Sequence, residues 1–211
     1  KPHIGTDVLR TVIAQMKARI IALGATWYNR ARVVELLHQG DTLSGVVYET
    51  DGVRHTLPCT HAVLAIGHSA RDTYQSLYET GLEMAFKPFA AGVRIEHLQS
   101  HIDHVQYGAF AGHPQLGAAE YALTARAGER GVYTFCMCPG GVVVPSVSEA
   151  GHLCVNGMSE HARAERNANS AVVVQVNQAD CGADPLSGLA FQRRWEKAAY
   201  RIAGGYTAPV Q

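Results

Sequence analysis

The feature that most constrains the fold of this chain is the segment Thr60–Tyr74, with the sequence THAVLAIGHSARDTY. Its apolar run Ala62–Ile66 has the length and composition of a buried strand, and it ends at Gly67. A glycine at the end of a strand lets another group approach the backbone closely, because no side chain holds that group away. Ser69–Thr80 then has the pattern of a helix. The segment predicts a strand, a turn open to close approach and a helix in succession.

A helix and a meander of strands are predicted before this segment. Thr6–Leu23 repeats apolar residues every three or four positions and is followed by a glycine, as is typical of an amphipathic helix. The meander strands are expected at Val33–His38, Leu43–Thr50 and Val53–Pro58, after a short strand at Ala25–Tyr28. Both turns of the meander contain glycine and aspartate, which favour tight hairpins.

The pattern changes near Phe86-Lys87-Pro88, where strands with irregular connections begin to dominate. Two helices are expected in this second half, at Leu98–Gln106 and Leu189–Ile202. The predicted strands are Ala90–Ile95, Tyr121–Arg126, Val132–Met137, Val142–Val144, Leu153–Asn156 and Ala171–Asn177. The sequence therefore predicts an α+β chain with two domains, residues 1–86 and residues 87–211.

Composition and charge exclude several classes of function. The chain has 211 residues, with 18 basic and 18 acidic side chains and a formal net charge of zero. This balance gives no electrostatic reason to expect a nucleic acid or an anionic membrane as a partner. No apolar run reaches the length of a membrane span. The five cysteines are an odd and sparse set, which argues against a secreted disulfide framework and favours a reducing cytoplasm.

The most reactive-looking segment is Tyr133–Val144, with the sequence YTFCMCPGGVVV. Side chains alternate along a strand, so Cys136 and Cys138 are expected on one face. The turn Pro139-Gly140-Gly141 would let the backbone approach a planar ring. Two thiols beside such a ring could relay electrons or contact a substrate. They could equally be small buried residues before a tight turn, and the sequence leaves both interpretations open.

Three histidines form a second candidate cluster. His97, His101 and His104 are spaced i, i+4 and i+7, so a helix would place all three on one side. Such an arrangement can bind a metal. No carboxylate pattern completes a known metal motif, so a polar helix face is favoured and no metal site is predicted.

Other polar residues of the second half allow two interpretations each. Arg94 and Glu96 alternate with apolar residues on a strand and would either orient a substrate in a cleft or face water, and the solvated face is favoured. Asn156–Ser159 and Asn167–Ser170 are dense in amides and hydroxyls. Such residues satisfy backbone groups in irregular loops or bind a ligand, and the sequence does not decide between these roles.

Together these segments resemble the uncharacterised bacterial FAD-dependent dehydrogenase family, also described as NAD(P)/FAD-dependent oxidoreductases. The resemblance runs along almost the whole chain, and its most specific parts are Phe135–Gly141 (FCMCPGG) and Asn167–Ala171 (NANSA). The other segments that carry it are Ile4–Asp7, Ala65–Asp72, Gly92–His97, Gln106–Gly108, Asn156–Ser159 and Ala208–Gln211.

The resemblance implies a Rossmann-like FAD domain that is split in sequence, with a β-rich substrate domain inserted into it. Residues 1–86 would be part of the FAD domain, without the GxGxxG loop that holds the pyrophosphate at a helix end. Residues 87–211 would be the substrate domain. The sequence starts at Lys1 rather than at a methionine, so we expect it to be a piece of a longer protein. The resemblance implies that N- and C-terminal parts of that protein supply the rest of the FAD domain.

The resemblance also implies which residues meet the cofactor. Val33 would lie at the adenine end of FAD, and the backbone of Ala65-Ile66-Gly67 would pass alongside it. Cys136 and Cys138 would be the candidate catalytic residues. Pro139-Gly140-Gly141 would approach the flavin or the substrate.

The expected function is that of the central portion of an FAD-dependent oxidoreductase. Such an enzyme transfers hydride or electrons through the flavin to a small-molecule substrate, here unknown, with NAD(P)H as a candidate electron donor. We expect the full-length protein to be a cytoplasmic enzyme and this chain alone to be inactive. Two alternatives stay open: a non-catalytic ligand-binding or interaction module, and a thiol or metal-site protein that uses Cys136 and Cys138.

Overall fold

The computed structural model describes residues 3–207, which form two compact units. The smaller unit is Arg19–Ala85. The larger unit combines the residues up to Ala18 with the chain from Phe86 onward. The first helix, α1 (Thr6–Ala22), confirms the helix predicted from periodicity. The boundary between the two units on the amino-terminal side falls within this helix. The assignment of the two halves of the sequence to a cofactor domain and a substrate domain stays a prediction.

The smaller unit is built on an antiparallel meander. Its strands β1 (Arg32–Gln39), β2 (Thr42–Thr50) and β3 (Val53–Pro58) pair in the order β1-β2-β3. Asp51 and Gly52 at the β2–β3 turn both have positive φ, 50° and 76°, as a tight hairpin turn requires. The helix α2 (Arg71–Glu79) follows and contacts β1. These elements confirm the predicted meander and the helix after it.

Two strands predicted in this unit do not form. Ala25–Tyr28 and Ala62–Ile66 are both irregular, and the Val63 side chain is 92% exposed. A strand is stable only when its backbone pairs with a neighbouring strand, and neither segment has such a neighbour within residues 3–207. The prediction was wrong because an apolar run supplies side chains for burial but does not supply the hydrogen-bonding partner.

The larger unit contains a four-stranded antiparallel sheet and a separate two-stranded ribbon. Its strands are β4 (Phe89–Leu98), β5 (Thr124–Ala127), β6 (Arg130–Cys138), β7 (Gly141–Ser146), β8 (Cys154–Ser159) and β9 (Asn167–Val176). The sheet has the order β4-β9-β6-β5, and the ribbon pairs β7 with β8. β9 begins at Asn167 rather than at Ala171, so the amide-rich segment Asn167–Ser170 is part of a central strand of the sheet.

Three helices complete the larger unit. These are α3 (Gln99–Tyr107), which continues into a 3₁₀ turn at Gly108–Phe110, α4 (Gln178–Cys181) and α5 (Ser187–Ala203). α3 and α5 confirm the predicted helices. The short α4 was not predicted, although Asn177 and Asp180 form a capping box at its start. α5 packs against β4 through Phe191 and Phe89, whose ring centroids are 5.8 Å apart.

The described part of the chain is a mixture of helices and antiparallel sheets, in agreement with the α+β prediction. All strand pairs between residues 3 and 207 are antiparallel, so the Rossmann-like part of the prediction is not confirmed. None of the helices found in this range has both the length and the apolar character needed to cross a membrane.

Candidate functional site

The strongest candidate site surrounds Arg94, which is buried in the larger unit with 6% of its surface exposed. Arg94 Nη1 donates hydrogen bonds to Asn169 Oδ1 at 2.6 Å and to the Cys136 carbonyl at 3.1 Å. The same nitrogen lies 4.0 Å from Cys138 Sγ. The expectation that Arg94 faces water was therefore wrong. Alternation along a strand defines two faces, but it does not say which of them the rest of the fold covers.

The strand register explains why these side chains meet. In the antiparallel sheet Glu96 of β4 lies opposite Asn169 of β9, and Asn169 lies opposite Cys138 of β6. Residues that lie directly opposite share a face of the sheet. Arg94 is two positions from Glu96 and shares that face too. The sheet thus brings Arg94, Asn169 and Cys138 together from three neighbouring strands.

Gly157 of β8 leaves the space that these side chains occupy. A Cβ atom built on Gly157 would overlap Arg94 Nη1 and Asn169 Oδ1, and it would lie 2.7 Å from Cys138 Sγ. Real Cβ atoms do not approach other heavy atoms so closely. Only glycine at this position leaves the Arg94–Asn169 hydrogen bond undisturbed. We call Arg94, Cys138, Gly157 and Asn169 the Arg94 cluster.

The charge of Arg94 is not balanced by an acidic side chain in the described residues. No carboxylate between residues 3 and 207 lies within ion-pairing distance of its guanidinium group. Asn169 is completely buried, and its Nδ2 has no hydrogen-bond partner within the same range. Buried charges and buried amides are normally paired, because leaving them unpaired costs free energy. The Arg94 cluster therefore offers N–H donors that the described residues do not use.

Cys136 and Cys138 lie at a β-bulge in β6. Phe135 is opposite Ala171, and Cys138 is opposite Asn169, so β6 has one more residue than β9 between these pairs. Cys136 has φ 50°, an uncommon value for a residue other than glycine. Cys136 is exposed, whereas Cys138 is buried. The shared face predicted for the two thiols is wrong, because the bulge breaks the alternation between them.

The environment of Cys138 does not favour a reactive thiolate. Burial raises the pKa of the Cys138 thiol above its usual value of 9.0, and the neighbouring Cys136 raises it further, while the charge of Arg94 acts in the opposite direction. Cys138 is therefore protonated at neutral pH, and its Sγ donates a hydrogen bond to the Cys136 carbonyl at 3.3 Å. A catalytic role for Cys136 and Cys138 stays a prediction.

The turn Pro139-Gly140-Gly141 is buried and makes its close contacts within the larger unit. Gly140 N donates to Gln99 Oε1 at 2.7 Å, and Ser159 Oγ donates to the Pro139 carbonyl at 2.8 Å. Gly140 has φ 47°, and a Cβ at this position would overlap the Arg163 carbonyl. The glycines thus let two backbone segments of this unit approach each other. The predicted contact of this turn with a cofactor stays a prediction.

The three histidines do not lie on one helix. α3 begins at Gln99, so His97 is in β4, whereas His101 and His104 are in α3. The predicted i, i+4, i+7 helix face is therefore wrong. Within residues 3–207, no group of three or more His, Cys, Asp or Glu side chains is placed to hold a metal ion.

His97 has an unusual environment of its own. Its Nε2 is buried without a hydrogen-bond partner, and its ring centroid lies 5.5 Å from that of Tyr121. Burial lowers the pKa of His97 below 6.5, His101 lowers it further, and Glu96 acts in the opposite direction. His97 is therefore neutral at pH 7.

The remaining predicted cofactor residues lie in the smaller unit. Val33 is in β1 and is 42% exposed, and Ala65-Ile66-Gly67 belongs to the irregular segment before α2. Gly67 has φ 67°, and a Cβ on it would meet nothing within 4 Å. Tyr74 Oη donates to the Gly67 carbonyl at 2.8 Å. The glycine is thus favoured here by backbone conformation, and the predicted contacts of these residues with FAD stay predictions.

Comparison with known proteins gives the family. Residues 88–211 match the family described as FAD-dependent protein, C-terminal domain-like. The chain belongs to this FAD-dependent family. An uncharacterized protein of Clostridium beijerinckii is 46% identical over 215 aligned residues, which cover 100% of this chain and 40% of that relative. The chain thus spans well under half of the relative's length.

The Arg94 cluster lies entirely within the range that matches the FAD-dependent family. Asn169 is completely buried and Arg94 is 6% exposed, so these two side chains form a closed polar cluster inside the larger unit. The sequence analysis considered a binding role for both Arg94 and the segment Asn167–Ser170, but it favoured a solvated face for Arg94 and left the role of Asn167–Ser170 open. The sequence did contain a signal for this cluster. Arg94 is a charged residue and Asn169 is an amide residue, and each lies in a strand that also contains several valine and alanine residues.

Proposed function

We propose that this chain is the central portion of an FAD-dependent oxidoreductase that passes hydride or electrons through the flavin to a small-molecule substrate. The observation that carries the proposal is the family match over residues 88–211, a range that contains the buried, uncompensated charge of Arg94. In flavoenzymes the cofactor supplies the redox chemistry, and the protein supplies binding, orientation and electrostatics. The electron donor in this proposal is NAD(P)H.

The proposal assigns residues 1–86 to part of a Rossmann-like FAD domain. Further segments of the full-length protein would bind the pyrophosphate and would cover the apolar run Ala62–Ile66. Two observations support this. The relative from Clostridium beijerinckii is much longer than the chain, and the apolar side chains of this run are exposed, with Val63 at 92% and Leu64 at 49%. Packing of those segments against the run would bury these side chains.

The thiol alternative has less support. A reactive cysteine needs a lowered pKa, and burial has the opposite effect on Cys138. Binding of FAD to the full-length protein distinguishes the oxidoreductase from the non-catalytic ligand-binding or interaction module.

The test is anaerobic reduction of the full-length protein with its bound FAD. We expect NADH or NADPH to abolish the visible absorption of the bound flavin, and we expect an electron acceptor to restore it. Free FAD under the same conditions is the control for reduction without the protein. Bound FAD that dithionite reduces but neither nucleotide does would refute NAD(P)H as the donor. A full-length protein that neither contains nor takes up FAD would refute the oxidoreductase in favour of a non-catalytic module.

A further inference from the structure

We infer that a strand from the part of the polypeptide outside residues 1–211 pairs with the free edge of β4 and adds a fifth strand to the four-stranded sheet. The free edge is the side of Phe89–Leu98 that faces away from β9. The inference concerns the larger unit and does not depend on flavin chemistry, so it goes beyond the proposed function. Neither the family match nor the relative from Clostridium beijerinckii assigns a role to this edge.

The first argument is the set of unused backbone groups along β4. In an antiparallel pair, an edge strand bonds to its neighbour through every second residue, and the backbone groups of the residues between them point away. β4 pairs with β9 along its whole length, from Phe89 to Leu98, without a shift in register. No second strand pairs with β4 in the part of the chain that the structure describes. About half of the N–H and C=O groups of β4 are therefore open to another strand.

The second argument is the contrast between the two edges of this sheet. Natural sheets protect an open edge by keeping it short, by placing proline or charged side chains on it, or by interrupting it with a bulge. β5, at the opposite edge, has four residues and includes Arg126. β4 has ten residues, and it contains no proline, no lysine and no bulge against β9. The length of β4 suits pairing with a further strand.

The charged residues of β4 do not protect its free edge. The guanidinium of Arg94 is buried and donates to Asn169 of β9. Glu96 is exposed, but its Oε1 accepts a hydrogen bond from Asn167 Nδ2, which is also on β9. Both charged groups are thus held toward the paired side of β4. Neither is placed to repel a strand on the other side.

The third argument is the exposure of apolar side chains on β4. Val93 and Ile95 share one face of the strand and are 66% and 39% exposed, whereas Val173 and Val176 of the neighbouring β9 are 8% and 2% exposed. Side chains of an added strand would pack beside Val93 and Ile95 as cross-strand neighbours. A helix on this face would cover the same side chains but would leave the backbone groups of the edge unpaired. A strand satisfies both.

The source of the strand follows from the length of the related protein. The relative from Clostridium beijerinckii aligns with 100% of this chain, but the alignment covers 40% of the relative. A strand of the same polypeptide is tethered to the sheet and has a high effective concentration, which favours it over the edge of a second copy. The strand that fits has apolar side chains on the face of Val93 and Ile95 and polar side chains on the face of Glu96.

The test is backbone amide hydrogen exchange of the full-length protein, resolved residue by residue by mass spectrometry with electron-transfer fragmentation. At an open edge, slow and fast amides alternate along the strand, whereas pairing on both sides makes all of them slow. We expect every amide from Gly92 to Glu96 to exchange about a hundredfold or more slowly than in an unfolded chain. An alternation of slow and fast amides would overturn the inference.

Two lysine variants of the full-length protein make the test specific to the free edge. Val93→Lys places a charge beside the added strand, and we expect it to speed the exchange of the outward amides of β4 about tenfold. Val105→Lys is the matched control, because Val105 is 62% exposed but lies in α3, and it should leave β4 unchanged. Equal exchange of β4 in the two variants would contradict a partner beside Val93.

Dilution distinguishes the source of the strand. Pairing within one polypeptide predicts protection of β4 that does not change with protein concentration. Protection that is lost on dilution, together with a change from dimer to monomer in light scattering, would assign the edge to a second copy and overturn the inferred source. Because none of these outcomes depends on FAD, they leave the proposed function to its own test.

Discussion

Gly157→Ala is the most specific test of the packing around Arg94. The added methyl group would overlap Arg94 Nη1 and Asn169 Oδ1, so the hydrogen bond between them must break or lengthen. A hydrogen bond to a charged group contributes about 1.5–3 kcal/mol, and overpacking of a close-packed site costs about 1–3 kcal/mol. Alanine regains about 0.5–1 kcal/mol through the lower entropy of the unfolded chain. The expected loss is about 2–5 kcal/mol of the free energy of unfolding.

Urea unfolding measures this loss, with Trp195 fluorescence as the probe of the larger unit. Trp27, in the smaller unit, is replaced by phenylalanine in all samples so that only one unit is observed. Gly131→Ala in β6 is the control, since a Cβ there meets nothing within 4 Å and φ is not positive. We expect the urea midpoint of Gly157→Ala to fall by about 1 M or more and that of Gly131→Ala to stay or rise slightly. Equal midpoints in the two variants would refute the assigned packing.

Three further predictions concern other sites. Burial lowers the pKa of His97, so the unfolded chain binds a proton before the folded chain does as pH falls below 6.5. The free energy of unfolding of the wild-type protein in urea should therefore fall between about pH 7 and pH 5, and that of the His97→Asn variant should fall less. The Arg130 side chain lowers the pKa of Asp180 from 3.8 to about 2, so this ion pair stabilises the folded state above pH 3.8 and the effect is lost as pH falls toward 2. Asp180→Asn should therefore lower the Tm slightly at neutral pH and by less near pH 2, and an equal effect at both pH values would contradict this. Gly140→Ala should lower the free energy of unfolding of the larger unit in urea by about 2 kcal/mol or more, because alanine disfavours φ 47° and its Cβ would overlap the Arg163 carbonyl. Gly117→Ala is the control and should not destabilise the unit, since the space around Gly117 is open.

The elements that depend on local pattern were predictable from the sequence. α1 and α5 follow from apolar residues at helical spacing, and the β2–β3 hairpin follows from Asp51-Gly52 between two β-prone runs. In each case the residues that decide the structure are neighbours along the chain. Local periodicity and turn chemistry are then sufficient.

Features that depend on distant residues were not predictable in this way. Ala62–Ile66 has the composition of a strand, but no strand within residues 3–207 pairs with it. The bulge at Cys136 depends on the register of β6 against β9, and a single extra residue redirects every side chain after it.

Burial of the site residues was missed for a related reason. A solvated face was favoured for Arg94, and the role of the segment that contains Asn169 was left open. Both side chains are buried, and Arg94 donates a hydrogen bond to Asn169 across the paired strands β4 and β9. The resemblance of the sequence predicted an FAD-dependent family, and the family match over residues 88–211 supports this prediction.

The most direct test of the central claim is the amount of FAD that stays with the protein after gel filtration. This amount is measured by visible absorption for two samples, the full-length protein and the 211-residue chain mixed with FAD. The account predicts stoichiometric FAD on the full-length protein and weak or no retention by the chain alone, because the phosphate-binding loop would lie elsewhere in the protein. A full-length protein that retains no FAD would contradict the assignment as a flavoenzyme. Tight, stoichiometric retention by the chain alone would contradict the proposed position of the cofactor site.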